Sequence, residues 1–285
     1  MDNNLCLGAH LSISRGLENT VREAKRLNLC TLQFFSRNPR SLRNVKRHNI
    51  VEIPFKPFFL HAPYLLNLAS PDDKLYNATK KCLIEDLAWA EILGAKGIIV
   101  HPGSHKGLGV NYGLARIISA ITEILEMSES NCRLILENTA GSGTELGNSP
   151  EHFEFIFERI DSKDKLGLCL DTCHLFAAGF DLRLEESIEE TFDRWFSIID
   201  TSYLMCFHVN DSKGTLGSHL DRHTHIGEGN IGEDGFKNLF SFEIFRKSPL
   251  IIETPKEPPG SDEKNLEKLR ELEETGHYLS RYCKM

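Results

Sequence analysis

The sequence predicts an α/β protein folded as a single (β/α)8 TIM barrel, and three observations support this prediction. Short apolar runs, each the length of a buried strand, recur eight times along the chain. Between several of them, apolar residues are spaced as in an amphipathic helix. The length of 285 residues suits one such barrel, which takes about 250 residues. We therefore expect one domain that spans residues 1–285.

The predicted strands are rich in Val, Ile, Leu, Phe and Cys, as is typical of parallel strands that are buried on both faces. Each run is too short to form a helix of ordinary length. In chain order, the predicted strands are residues 5–9, 30–35, 58–60, 97–100, 133–136, 166–170, 203–207 and 250–252.

Helical periodicity occupies the intervals between these strands. Apolar residues recur at helical spacing within residues 83–90, 117–125 and 153–160, and residues 266–272 belong to a charged, amphipathic final helix. Ser149 before Pro150 is typical of a helix start. An open, doubly wound sheet is the alternative, but the first strand is not followed by G-x-G-x-x-G and the chain contains no G-x-x-x-x-G-K-[ST]. The alternation therefore favours the barrel.

The composition is that of an ordinary globular protein with a net charge of -8. This acidic balance argues against DNA binding by bulk positive charge, although it leaves room for a local basic surface. No apolar run approaches the ~18 residues of a membrane span, and the first residues do not read as a secretory signal. Since the eight cysteines form no C-x-x-C pair, we expect free, buried thiols in a cytoplasmic protein.

Acidic residues and histidines stand directly after six of the eight apolar runs. The C-terminal ends of the strands meet at one face of a barrel, and barrel enzymes build their active sites there. Three further donors lie in the loops that follow the sixth and seventh strands, and His10 ends the first strand. Without His10, the predicted ring consists of His61, His101, Glu137, Asp171, His174, His208, Asp221, His223 and Glu253.

Nitrogen and oxygen donors of this kind suit zinc or a similar divalent metal. Nine donors are too many for one ion, so the pattern predicts two or three metals with bridging carboxylates. A single histidine at a strand end is more often an ordinary polar residue, but nine donors at strand ends and in the loops that follow them favour a metal centre. Clustered metals typically serve displacement at phosphorus. For His10 we expect a place beside the ligands or near DNA.

Two loop features on the same face suggest contact with DNA. Residues 37–47 carry five Arg or Lys and no acid, which is typical of a surface that follows phosphates, or alternatively of a solvated basic run. Tyr64 and Leu65, shortly after His61, could wedge into a base stack, or could simply pack within their loop.

Taken together, these motifs resemble the endonuclease IV family of zinc-dependent apurinic/apyrimidinic endonucleases. The resemblance extends from GAHLS at residues 8–12 to IIETP at residues 251–255. Between these segments lie the motifs HPGSH, ENTAG, DTCH, HVND, DRH and GEGNIG. The combination is highly specific and covers almost the whole chain.

The resemblance implies a TIM barrel with three zinc ions, and all nine ligand positions carry the residue type that the family requires. It assigns His61 and His101 to the first ion, with Glu137 bridging to the second. It places Asp171, His208 and Glu253 on the second ion, and His174, Asp221 and His223 on the third. Arg40, Tyr64 and Leu65 match family loops that enter the minor groove and help to flip the abasic nucleotide.

The implied reaction is hydrolysis of the phosphodiester 5′ to an abasic site in duplex DNA, leaving a 3′-hydroxyl and a 5′-deoxyribose phosphate. Our hypothesis is that Glu137 and Glu253 orient the attacking hydroxide between two zinc ions, while the third ion stabilises the leaving oxygen. The alternatives are a metal-dependent sugar isomerase or epimerase, which uses one or two metals, and an inactive metal- or DNA-binding module. We expect a monomer with no membrane contact and no protein partner.

Overall fold

The computed structural model describes residues 5–42 and 50–276, and these contain a closed barrel of parallel strands surrounded by helices. Pairing of the last barrel strand with the first closes the ring, so the predicted TIM barrel is confirmed. A separate antiparallel ribbon is formed by β8 and β9. The strands are β1 (Leu7–His10), β2 (Thr31–Phe35), β3 (Phe58–His61), β4 (Gly97–Val100), β5 (Arg133–Glu137), β6 (Leu166–Asp171), β7 (Leu204–His208), β8 (Asp211–Ser212), β9 (His223–Thr224) and β10 (Leu250–Ile252).

The helices include all four that the sequence predicts. Each connection between consecutive barrel strands contains a helix, except the one between β2 and β3. The described residues of that connection, 36–42 and 50–57, form no helix. None of the helices in the described part of the chain has the length and apolar character needed to cross a bilayer. The helices are α1 (Leu17–Arg26), α2 (Asp73–Leu93), α3 (Val110–Met127), α4 (Pro150–Phe157), α5 (Thr172–Ala178), α6 (Glu185–Ile198), α7 (Gly232–Leu239), α8 (Glu243–Lys247) and α9 (Ser261–Thr275).

The apolar core has two layers, one on each side of the strands. The outer layer lies between barrel and helices, and contains most of the buried Leu, Ile and Phe side chains. The second, which we call the inner layer, lies inside the barrel and consists of Phe59, Ile99, Ile135, Cys169, Cys206 and Ile251, all fully buried. Each member stands two positions before an acidic residue or histidine at its strand end, and so faces the same way. The inner layer is therefore the floor beneath the ring of donors.

The cysteines depart in part from the expectation of free, buried thiols. Cys6 and Cys30 form a disulfide, so the expectation is wrong for these two residues. They stand just before β1 and β2, and pairing of these neighbouring strands brings their Cα atoms to 5.0 Å. The cysteines that are free and buried are Cys82, Cys132, Cys169, Cys173 and Cys206, whereas Cys283 lies outside the described residues.

Candidate metal centre

The mouth of the barrel brings the predicted donors together in three groups. Within the first two groups, the candidate ligand atoms all lie within 4.8 Å of one another. In the third, Asp221 Oδ1 lies 3.3 Å from His174 Nε2 and 3.4 Å from His223 Nε2. We call these groups site A (His61, His101 and Glu137), site B (Glu137, Asp171, His208 and Glu253) and site C (His174, Asp221 and His223).

Glu137, at the end of β5, connects sites A and B. Its Oε2 lies 3.0 Å from His101 Nε2 and 3.1 Å from His61 Nε2. Its Oε1 lies 2.8 Å from His208 Nδ1. The side chain is completely buried, so both oxygens are held toward the donors rather than toward solvent. This arrangement gives the carboxylate the position of a bridge between two ions.

Backbone carbonyls fix the protonation of three histidines. The Nδ1–H group of His61 donates to the carbonyl of Ala62 at 2.7 Å, and that of His174 donates to Asn138 at 2.9 Å. His223 Nδ1 donates in the same way to the carbonyl of Glu253 at 3.2 Å. A neutral ring bound in this way presents its unprotonated Nε2 to the mouth.

The Nε2 atoms of these three rings face carboxylate oxygens, which only accept hydrogen bonds. His223 Nε2, for example, is buried without a hydrogen-bond partner and lies 3.7 Å from Asp171 Oδ2. A cation between the nitrogen and the oxygen satisfies both. Imidazole and carboxylate donors in this orientation therefore fit a divalent metal such as zinc.

Gln33 in β2 was missed by the sequence analysis, although it lies within the ring. Its amide oxygen accepts a hydrogen bond from His208 Nε2 at 2.7 Å, so the other ring nitrogen, Nδ1, faces site B. Its amide nitrogen donates to Glu253 Oε1 at 2.6 Å and lies 2.8 Å from His10 Nδ1. His10 thus lies beside the candidate ligand Glu253. Of the two places expected for His10, beside the ligands or near DNA, the structure shows the first. The only sequence signal for Gln33 is a polar residue inside an otherwise apolar run.

Two buried asparagines, which were also missed, position the acidic residues Asp171 and Glu253 of site B. Asn138 Oδ1 accepts a hydrogen bond from the backbone N–H of Asp171 at 2.6 Å. Asn210 donates to Asp171 Oδ2 at 2.7 Å and accepts from the backbone N–H of Glu253 at 2.8 Å. Asn138 directly follows Glu137 and Asn210 stands two residues after His208, so closeness to a strand-end donor is the signal that could have found them.

The GEGNIG motif serves to anchor a loop. Its backbone wraps around the buried carboxylate of Asp211, which accepts N–H groups from Gly227 at 3.0 Å, Gly229 at 2.9 Å and Ile231 at 3.0 Å. A Cβ atom on Gly229 would lie 2.4 Å from Asp211 Oδ1, so this close approach requires glycine. The motif therefore fixes the connection between β9 and α7 and does not contribute a ligand group.

The carboxylates and imidazoles of the centre stabilise each other's charged forms. Burial alone would raise the pKa of Glu137, but the imidazoles of His208 and His101 outweigh burial and hold this pKa well below its usual range. Burial would lower the pKa of His208, but Glu137 and Glu253 raise it well above its usual value. The carboxylates thus stay ionised and require positive charge between them, whether from protons or from a metal.

The residues predicted to contact DNA lie exposed on the rim of the mouth. Tyr64 is 66% exposed and Leu65 is 46% exposed, so an aromatic and an aliphatic side chain lie next to each other at the surface. The Tyr64 ring stands edge-on to Phe35, with 5.1 Å between ring centroids, and Arg40 is exposed. These side chains are therefore free to touch a large partner that covers the mouth.

The basic segment 37–47 does not form a phosphate-binding surface along its whole length. Arg37 is only 5% exposed, and its guanidinium binds Asp86 of α2 with Nε–Oδ distances of 3.0 Å. It also donates to the backbone carbonyl of Cys82 at 3.2 Å. The prediction is wrong for Arg37, because the arginine pairs with a buried carboxylate that sequence spacing does not reveal. Arg43, Lys46 and Arg47 lie outside the described residues.

Comparisons with known proteins agree with this geometry. The family model described as "Xylose isomerase-like TIM barrel" matches residues 19–272. The probable endonuclease 4 of Methanoculleus marisnigri is 40% identical over an alignment 276 residues long, which covers 93% of this chain and 98% of that protein. The crystal structure of endonuclease IV from Thermus thermophilus matches with a TM-score of 0.79 and 31% identity, over 94% of this chain and 98% of that chain.

The barrel is also shared with a protein whose name points to other chemistry. The crystal structure of a D-tagatose 3-epimerase-like protein matches with a TM-score of 0.70 and 25% identity, over 95% of this chain and 97% of that chain. The fold alone therefore does not separate a nuclease from a sugar epimerase. Identity of 40% to a probable endonuclease 4 over nearly the full length favours the nuclease. Together with the family-model match, it shows that the chain belongs to the endonuclease IV family of xylose isomerase-like TIM barrels.

Proposed function

We propose that this protein is a zinc-dependent hydrolase that incises duplex DNA 5′ to an abasic site, as a step of base excision repair. The observation that supports this most strongly is the meeting of nine acidic and imidazole donors at one barrel mouth, beside the exposed Tyr64 and Leu65. A donor set of this size suits several metal ions, and exposed aromatic and aliphatic side chains suit a duplex from which one base is missing. Membership in the endonuclease IV family points the same way.

Sites A, B and C would each hold one zinc ion. Zinc bound there would supply Lewis acidity toward water and toward the phosphate oxygens. Glu137 contributes one oxygen to site A and the other to site B. Glu253 is held through Oε1 by Gln33 and His10 and keeps Oε2 toward site B, 3.3 Å from His208 Nδ1. We assign Glu137 and Glu253 the role of orienting the attacking water.

The inner layer and the exposed residues at the rim of the mouth serve two further needs of the reaction, which are control of water access and contact with DNA. The inner layer closes the barrel beneath the donors, so water reaches the phosphodiester only from the side on which DNA binds. Tyr64 and Leu65 would enter the duplex at the abasic position, while Arg40 would contact a phosphate. The leaving 3′-oxygen would face site C, and the products would be a 3′-hydroxyl and a 5′-deoxyribose phosphate.

Incision of a duplex with one tetrahydrofuran abasic analogue tests this function. We expect a single cut 5′ to the analogue, a 3′ end that a DNA polymerase extends, and complete loss of cutting with a strong chelator. An undamaged duplex of the same sequence is the matched substrate control. Absence of chelator-sensitive incision, particularly if the protein instead epimerises a ketohexose, would overturn the proposal. We further propose that the enzyme acts as a monomer in the cytoplasm.

A further inference from the structure

Two cysteines lie side by side in the inner layer, directly beneath the donor ring. Cys169 stands two residues before Asp171 on β6, and Cys206 stands two residues before His208 on β7. They are register partners of adjacent parallel strands, and their sulfur atoms are 3.6 Å apart. Both are fully buried. The four other members of the inner layer are the apolar residues Phe59, Ile99, Ile135 and Ile251, so only here does this layer offer ligand atoms.

The spacing of these atoms suits a metal. The two sulfurs and a ring nitrogen of His208 all lie within 4.8 Å of one another. Two thiolates on one tetrahedral zinc ion, with zinc–sulfur bonds of about 2.3 Å, are about 3.8 Å apart. The separation of 3.6 Å between the two sulfur atoms is close to this value. Sulfur is a soft ligand and selects thiophilic cations, whereas the carboxylates of site B suit harder ones.

We propose that Cys169, Cys206 and His208 form a binding site for a soft, thiophilic cation such as cadmium(II) or copper(I). As each metal–sulfur bond forms, the thiol releases its proton to water. The cation would enter through the mouth, where the side chains of Asp221 and His101 are 47% and 29% exposed. This inference goes beyond the proposed function, because it requires neither DNA nor hydrolysis.

His208 is a candidate ligand both of the new site and of site B, so binding at one site affects binding at the other. One ring nitrogen of His208 faces Glu137 and Glu253, and the other donates to Gln33. A soft cation that takes either nitrogen must therefore displace His208 from site B or break its hydrogen bond to Gln33. We expect cadmium binding at the thiol pair and normal metal occupancy of site B to compete.

Cadmium titration of the protein with its resident metals tests the proposal. We expect a thiolate-to-cadmium charge-transfer band in the ultraviolet, and X-ray absorption at the cadmium edge that shows two sulfur ligands. Cys206→Ala should weaken cadmium binding by at least about tenfold and remove the two-sulfur signal. Cys132→Ala, which changes a buried free thiol elsewhere in the fold, is the matched control and should behave as wild type.

The competing outcome is binding at Cys173, which groups with Asp221 and His223 near site C. Cadmium held there would show one sulfur ligand, and its band would survive in Cys206→Ala. That result, or a cadmium site without sulfur, would overturn the proposal. If Cys206→Ala does not fold, the sulfur count in the wild-type protein decides on its own.

Discussion

The amide oxygen of Gln33 accepts a hydrogen bond from Nε2 of His208, with 2.7 Å between the two atoms. This contact sets the tautomer of His208 and directs its Nδ1 toward Glu137, 2.8 Å away. Gln33 also donates to Glu253, so one amide orients two candidate ligands of site B. A residue that binds no metal itself thereby determines how the centre is arranged.

Gln33→Ala should weaken the metal centre without removing a ligand. Loss of the amide frees the ring of His208 to rotate or to change tautomer, and loss of such a contact typically lowers metal affinity by about 10- to 100-fold. Zinc retained after dialysis against a graded competing chelator measures the change. Asn131→Ala removes an exposed amide that binds Glu91, and should leave zinc retention unchanged. Equal retention in Gln33→Ala and wild type would contradict this role.

Glu137→Gln should slow incision strongly while leaving DNA binding intact. The substitution removes a negative charge from both sites A and B, and several kcal/mol of lost transition-state stabilisation correspond to about a 10³-fold slower cut. Glu253→Gln should act in the same direction. Single-turnover cleavage of an abasic duplex and a gel-shift Kd separate the two effects. Glu126→Gln, an exposed position near the end of α3, serves as control, and wild-type cleavage by either active-site variant would refute the assignment.

Tyr64→Ala with Leu65→Ala should reduce affinity for abasic duplex much more than for undamaged duplex. The two exposed side chains would fill the place of the missing base, and stacking of this kind contributes about 1–3 kcal/mol per base. We expect Kd to rise by about 10- to 100-fold, as measured by fluorescence anisotropy. Ile92→Ala removes an exposed apolar side chain at the far end of α2 and should have no effect. A loss of affinity equal for both duplexes would argue against a wedge.

Asp86→Asn should destabilise the fold because it leaves the buried Arg37 guanidinium with only the more distant carboxylate of Glu85, at 3.3 Å, as counterion. Breaking a buried pair in this way costs about 3–5 kcal/mol of the free energy of unfolding. The exposed pair of Arg116 with Asp73, whose aspartate side chain is 79% exposed, provides the comparison. Asp73→Asn should change stability by less than about 1 kcal/mol. Urea denaturation of both variants measures the difference, and equal effects would show that burial of the pair is unimportant.

The fold and most of the donor ring could be predicted because both depend on local patterns. Strand-length apolar runs end in His61, Glu137 or Asp171 at the point where the strand itself ends, and barrel topology brings these ends together. Gln33 shows where this reasoning stops, since its role depends on contacts with residues more than 170 positions away. The pairing of Arg37 with Asp86 and of Cys6 with Cys30 likewise depends on how distant elements pack.

The number of zinc ions per chain tests the central claim most directly, because sites A, B and C would each contribute one ion to it. Inductively coupled plasma mass spectrometry of protein purified without chelator, together with an accurate protein concentration, provides this number. We predict about three zinc ions per chain, falling to about two in a variant in which both Asp221 and His223 of site C are replaced by alanine. One or two ions in the wild-type protein would contradict a three-metal centre and would favour an isomerase-like site instead.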